Sequence, residues 1–258
     1  MHSQINFGYP WAVNYGHLVL ALVFLAVFCC GWVFKWPKAL MAGLGLVVVW
    51  ALASFVMVRF GFDMNGRAAL PTEAFLRSGT GKVLDMGAGT GRSTLMVLEA
   101  RPQATVVALD SFADSYVQHF GVRNAGAVVD QGRERLLANM RAAGVDQRVS
   151  VQPGDMRRMP LESDSFDAAL SAYAIDHLGP QGIREALSEA HRVLKPHGEF
   201  LLIVVNQDGW LNFTFGPLMM HSRMVFSDSW ERNLRDAGFE IVESGTKPAT
   251  KYVLARKT

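Results

Sequence analysis

Val83-Leu84-Asp85-Met86-Gly87-Ala88-Gly89-Thr90-Gly91 sets an apolar pair and an acid directly before three glycines at every second position, and a helix-compatible stretch, Ser93 to Ala100, follows. A strand that turns sharply into a helix accounts for all of these parts. Glycine has no Cβ, so the chain can bend after the strand and a ligand can lie against the peptide groups. The first N–H groups of the helix have no partner within it and face that ligand. The nicotinamide dinucleotide fingerprint needs its third glycine three positions after the second, and Arg92 stands there instead. The turn suits a nucleotide-like ligand that is not a dinucleotide.

Downstream of Lys82, apolar runs of strand length alternate with helical patterns. Strands are predicted near 83–86, 105–109, 149–152, 167–171, 199–206, 240–244 and 252–256. Helices are predicted near 93–100, 130–143, 181–194 and 228–237. Such alternation predicts an α/β fold, a doubly wound, mostly parallel seven-stranded sheet with helices on both faces.

Further motifs follow in order. Val106-Val107-Ala108-Leu109 ends in Asp110, about 20 residues past the glycines, where a carboxylate can accept hydrogen bonds from both hydroxyls of a ribose. Gln152-Pro153-Gly154-Asp155-Met156 follows the third strand, and Phe166-Asp167-Ala168-Ala169-Leu170-Ser171 forms the fourth. Arg192-Val193-Leu194-Lys195-Pro196-His197-Gly198-Glu199-Phe200-Leu201-Leu202 reads as a helix end, a Pro/Gly turn and a fifth strand. Over about residues 68 to 258 this series resembles the class I S-adenosylmethionine (SAM) methyltransferases, most nearly the small-molecule branch that includes quinone-biosynthesis enzymes. The resemblance implies a Rossmann-like fold and S-adenosyl-L-methionine as cofactor. It implies that Asp85 helps hold the methionine part, with Gly87, Ala88, Gly89, Thr90 and Gly91 forming the cofactor turn. It gives the ribose to Asp110 with Ser111, the adenine to Asp155 and the backbone of Met156, and the reactive end to Ser171, Ala172 and Tyr173. No Asn/Asp-Pro-Pro-Tyr signature follows the fourth strand, which disfavours the amino-methylating enzymes of nucleic acids and protein glutamine. A net charge of +2 gives nucleic acid no support either.

Methyl transfer is an in-line displacement that depends on alignment and exclusion of water, with a general base needed only when the acceptor must lose a proton. Ala174-Ile175-Asp176-His177-Leu178 follows the fourth strand, so His177 is the first candidate for base or acceptor orientation and Asp176 the second. A histidine that merely packs beneath the cofactor is the competing reading. Tyr116 and His119 lie on an insertion after Asp110 that runs to about Val129, placed to act catalytically, as a lid or as packing. A second insertion, Gln207 to Phe226, carries Trp210, Phe213, Phe215, Met219, Met220, Met224 and Phe226. Insertions at the carboxyl ends of strands are where such folds place lids and acceptor pockets. This one suits packing over the sheet, a lipophilic acceptor or contact with a membrane. Arg157 and Arg158 suit an acidic headgroup or a solvated loop. His191, His197 and His221 have no partner at metal-ligand spacing, so no metal is expected.

The first 60 residues are of another kind. The chain is 50% hydrophobic with a mean hydropathy of +0.16, and the excess is concentrated in two uncharged runs, 17 residues from Leu18 to Phe34 and 20 from Ala39 to Val58. At about 1.5 Å per helical residue each is long enough for a hydrocarbon core of roughly 30 Å. Residues 1–60 therefore read as an interfacial segment plus a membrane hairpin, fully spanning or re-entrant, 61–81 as a linker or entry helix, and 82–258 as the catalytic domain. No Lys or Arg occurs in residues 1 to 16, which excludes a signal-peptide n-region, and the aromatic run Asn6 to Trp11 has the character of an interfacial belt. A SAM-dependent domain needs the cytoplasmic cofactor pool, so the Lys35–Lys38 loop is expected outside. The basic residues Arg59, Arg67, Arg77 and Lys82 then lie inside. Cys29 and Cys30 are adjacent within the first run, so they form neither a disulfide framework nor a zinc site. Gly43, Gly45 and neighbouring alanines permit homo-oligomerisation through the spans.

Three functions fit these observations. One is a membrane-anchored methyltransferase for a small lipophilic or lipid-embedded acceptor, such as a quinone or phenol precursor, a headgroup amine or a hydrophobic thiol. Another is a methyltransferase for a soluble acceptor, with the hairpin serving localisation. The last is a non-catalytic SAM-binding membrane scaffold.

Overall fold

The computed structural model describes residues 5–9, 11–63, 66–112, 131–219 and 229–258. Two long helices come first, α1 (Trp11–Val33) and α2 (Lys38–Val56), and α2 runs on into a widened π-helical turn, Met57–Phe62. The first helix begins at Trp11, ahead of the uncharged run, and takes in the polar His17, whose ring lies 3.0 Å from the Thr214 carbonyl. Both helices are long and apolar enough to cross a membrane. Close to their connection, Gly31 lets them approach: a Cβ there would lie 2.7 Å from Met41 Sδ and 2.8 Å from Trp36 Cε3. Only Asn14, Ala21 and Gly31 of α1 and Ala51 and Ser54 of α2 are buried. Leu22, Val23, Leu46 and Val49 are each more than half exposed, the opposite of what a core helix of a water-soluble fold does.

Residues 66–79 contain no helix and form a linker of bends and a turn at 75–78. Leu70, Phe75 and Leu76 are buried there, and the Arg101 guanidinium donates to the carbonyls of Phe75 and Glu73.

The domain that follows contains β1 (Thr80–Met86), α3 (Arg92–Ala100), β2 (Gln103–Asp110), α4 (Gln131–Ala142), β3 (Val149–Pro153) and β4 (Phe166–Ala172). Then come α5 (Pro180–Val193), β5 (Leu194–Val205), α6 (Gly209–Met219), α7 (Trp230–Asp236), β6 (Phe239–Lys247) and β7 (Thr250–Lys257). The seven strands lie in the order β3-β2-β1-β4-β5-β7-β6. Strands β1 to β5 are parallel, and β7 is antiparallel to β5 and β6. This is the doubly wound sheet expected from the alternation.

Side chains alternate between two buried faces. On β5, Leu201 and Ile203 join the cluster under α3 and α4, whereas Phe200, Leu202 and Val204 join the cluster under α5 and α7. Burial on both faces is why these strands read as continuous apolar runs. Helix α5 shows the matching pattern, burying Ile183, Ala186, Leu187, Ala190 and Val193, with Pro180 in its first turn where the missing N–H costs nothing. Strand order reverses between β1 and β4, so the carboxyl edge there forms the crevice in which such sheets bind ligands.

Of the two insertions, residues 113–130 lie outside the described residues, and Tyr116 and His119 with them. The second contains helix α6. Asp208 caps it, one carboxylate oxygen accepting from the N–H groups of Trp210 (3.0 Å) and Leu211 (2.9 Å). The other oxygen accepts from Ala249 N at 2.7 Å, tying the start of α6 to the β6–β7 turn.

Candidate active site

At the end of β1 the chain crosses toward β2: the N–H groups of Gly87 and Ala88 both donate to the Leu109 carbonyl, at 2.8 and 3.1 Å. The three glycines of the turn have φ of 84°, 53° and 89°, a region L side chains rarely enter. Space demands glycine as well. A Cβ at Gly87 would fall on Ala174 Cβ and lie 2.9 Å from Met156 Cε, and one at Gly91 would lie 2.9 Å from Met140 Cε. The turn thereby brings together three stretches distant in sequence, around Gly87, Met156 and Ala174.

Parallel register places the acids side by side at the carboxyl edge. Asp85 pairs with Ala108 across β2 and with Leu170 across β4, and Asp110 pairs with Pro153 of β3. Asp85 is fully buried. Its Oδ2 accepts from Ser93 Oγ (2.7 Å) and Thr94 Oγ1 (2.6 Å), and its Oδ1 has no hydrogen-bond partner among the described residues. Burial pushes its carboxyl up to about 6 against those hydroxyl hydrogen bonds, with the nearby Asp110 charge adding to the rise. Asp110 accepts from Gly89 N (2.9 Å) and Phe112 N (2.9 Å), fixing the carboxylate beside the glycine turn, and burial raises it too. Gly154 N donates to the Asp110 carbonyl at 2.9 Å, which leads the chain directly to Asp155. Asp155 is held by Arg157, whose guanidinium reaches both oxygens at 2.6–3.0 Å and keeps the carboxyl below the usual carboxylate range. Binding an adenine amino group there requires this exposed ion pair to open.

Ser171 is buried with an Oγ that lacks a partner among the described residues, and Ala172 ends β4 beside it. Asp176 and His177 sit on a 3-10 turn, Ile175–His177, immediately beyond. Asp176 is buried and its Oδ2 accepts from Val205 N at 3.3 Å, fastening the turn to the end of β5. The His177 ring hydrogen-bonds to the Tyr173 carbonyl, and burial lowers its pKa, favouring the neutral imidazole. A neutral imidazole at His177 is able to accept a proton.

The contacts made by Tyr173, Arg92, Thr90 and Asn139 were missed in the sequence, although Tyr173 itself was expected beside the reactive end. Tyr173 stands between Ala172 and His177 with φ of 53°, its hydroxyl 2.7 Å from Thr250 Oγ1. Burial raises its pKa, and Arg92 and Tyr9 are among the charges that act on it. Arg92 donates to the carbonyls of Gly66 (3.0 Å) and Asp63 (3.2 Å), so the exit from the hairpin is tied to the glycine turn. The N-terminal segment is held there too. Thr90 Oγ1 donates to the Phe7 carbonyl at 2.9 Å, and Asn139 of α4 accepts from Asn6 N while donating to the carbonyls of Asn6 and Thr90. Phe7 is 3% exposed, so within the aromatic run only Trp11, 66% exposed, keeps the belt character expected of it.

The site fits SAM. A glycine cradle that side chains would fill, an orphaned buried carboxylate oxygen at Asp85 and a fixed carboxylate at Asp110 match a ligand carrying an ammonium and a ribose diol. Comparison with known proteins agrees. Residues 83–198 match a methyltransferase domain family. The chain is similar to the ubiquinone/menaquinone biosynthesis C-methyltransferases of Syntrophotalea carbinolica (29% identity over 157 residues, 58% of this chain and 54% of that one) and Brucella abortus (33% over 121 residues, 46% and 38%). It thus spans about half the length of the curated relatives it matches, or less. Among solved structures the fold is shared with an O-methyltransferase family protein of Burkholderia thailandensis (15% identity, TM-score 0.54, covering 86% of this chain and 60% of that one). It is shared also with the [4+2]-cyclase SpnF (20% identity, TM-score 0.52, 72% and 78%). The α/β domain of this chain carries a methyltransferase domain match and has the strand order and motifs of the SAM-dependent methyltransferases, to which it is similar.

Proposed function

We propose that the protein is a membrane-anchored methyltransferase whose acceptor is a small lipophilic molecule of the quinone or phenol precursor class. One observation carries this reading: the apolar hairpin is fastened to the carboxyl edge of the sheet through α6. His17 Nε2 lies 3.0 Å from the Thr214 carbonyl, Trp50 Nε1 donates to the Phe213 carbonyl at 2.8 Å, and Thr214 Oγ1 lies 3.8 Å from Met57 Sδ. Helix α6 leaves β5 where Asp176 holds Val205, and Trp210 and Phe213 on it are 55% and 44% exposed. An acceptor dissolved in the cytoplasmic leaflet would meet α6 before it met the site. The names of the similar quinone-biosynthesis enzymes support the acceptor class, and the cytoplasmic SAM pool supports a domain facing that side.

Bound SAM supplies an electrophilic sulfonium methyl. The chain's residues do the rest: Asp85 takes up positive charge at the methionine end, Asp110 orients the ribose, and Ser171 to Tyr173 flank the reactive end. A neutral His177, its tautomer fixed by the Tyr173 carbonyl, accepts the proton of a phenol or enol. Closure by α6 and the hairpin excludes water.

The test is methyl transfer by the full chain in lipid vesicles supplied with methyl-labelled SAM and a membrane lipid extract. The expected result is label in an organic-soluble product, reduced about 100-fold or more in His177→Ala. Label confined to water-soluble products would contradict the lipophilic acceptor. SAM binding without transfer to any extract would favour a scaffold.

A further inference from the structure

We propose that residues Ile5 to Tyr9 form a strap that closes the cofactor site from outside, making the chain's N-terminal segment part of the SAM-binding machinery. The inference rests on the SAM reading of the glycine turn.

Ile5, Phe7 and Tyr9 of the strap pack on the domain at every second position, in the same cluster as Ala88, Phe112, Ala172 and Tyr173. Two anchors fix its depth. Asn139, itself 3% exposed, pairs with the Asn6 backbone, and Thr90, inside the glycine turn, holds the Phe7 carbonyl. Asn6 Oδ1 accepts from Gly8 N at 2.8 Å and bends the strap there. Gly8 has φ of 82°, a conformation that strains any residue with a Cβ. Beyond the bend, Tyr9 is partly buried, its hydroxyl pKa raised by desolvation against the opposing charge of Arg92, and it also acts on Tyr173. The strap therefore runs from the loop after β1 toward the end of β4. Those are the two rims of the crevice at which the strand order reverses. Arg92 meanwhile holds Asp63 and Gly66, the other end of the hairpin, on the same helix turn. A ligand seated on the glycine turn and a strap held by Thr90 share one loop, so each stabilises the other's position, and the coupling is reciprocal.

The test uses the full chain in nanodiscs. Hydrogen exchange at residues 5–9 is expected to slow when S-adenosylhomocysteine is added to the wild type, a readout that needs no variant. Phe7→Ala and Tyr9→Phe are expected to bind SAM about tenfold more weakly by calorimetry, while unfolding at the wild-type temperature within a few degrees. Wild-type SAM affinity in both folded variants, or exchange at residues 5–9 indifferent to the ligand, would overturn the strap. Failure of the wild type itself to bind SAM would overturn the cofactor reading on which the strap depends.

Discussion

Burial holds the Asp85 carboxyl near 6, and the consequences for folding and for binding have opposite signs. A carboxyl raised above its unfolded value binds its proton more tightly in the native state. Its contribution to stability is therefore full below about pH 4 and is lost as pH rises through about 6, a difference of about 3 kcal/mol for a shift of this size. The SAM ammonium, by contrast, needs the carboxylate. SAM affinity should rise about tenfold from pH 5 to 7.5 and level off above, and Asp85→Asn should abolish that rise; calorimetry across the range checks both. Gly87→Ala tests the turn itself. With φ of 84° and Ala174 and Met156 in the way, it should lower stability by about 2 kcal/mol and remove SAM binding, read by thermal unfolding and calorimetry. These residues were legible in the sequence because an acid at a strand end and glycines at fixed offsets are local patterns. Arg92 was legible only as the residue that broke a dinucleotide fingerprint. Its bonds to Asp63 and Gly66 join segments brought together by the fold, which no spacing reveals.

Helix α6 shows how an irregularity in one element becomes the anchor of another. Pro217 has no N–H, so the Phe213 carbonyl four residues earlier lacks its helical partner, and the Trp50 indole supplies one. Trp50→Phe should leave that carbonyl unsatisfied and cost about 1–2 kcal/mol. Pro217→Ala should recover part of the loss by restoring the helical bond, and the coupling is measurable as a double-mutant cycle in thermal unfolding. The strands were legible as apolar runs of strand length, and α5 because its 3.6 period repeats over its full length. Helix α6 was read as an insertion despite its Asp208-Gly209 start, because Pro217 interrupts the pattern and its partners His17 and Trp50 lie far away in sequence. The strap was misjudged for a related reason. Ile5, Phe7 and Tyr9 alternate as an edge strand would, but five residues beside Trp11 and a long apolar run resemble an interfacial belt equally well.

At the scale of the molecule, the described residues join the hairpin to the domain at three places: the strap through Thr90 and Asn139, the exit through Arg92, and α6 through His17 and Trp50. On the proposed membrane reading, these attachments would fix the carboxyl edge of the sheet relative to the bilayer, the arrangement suited to an acceptor drawn from lipid. They also make removal of residues 1–60 more than the loss of an anchor. Such a truncation takes the strap with it and should bind SAM about tenfold more weakly even where the domain stays folded. The acceptor was not legible at any scale, since it depends on a pocket assembled from distant elements. The most direct measurement is therefore the initial rate of methyl transfer by the full chain in vesicles, at constant bulk acceptor concentration and increasing amounts of inert lipid. A rate that falls with the acceptor's mole fraction in the bilayer is the predicted result. A rate that follows the bulk concentration alone, unchanged as lipid is added, would contradict an acceptor taken from the membrane.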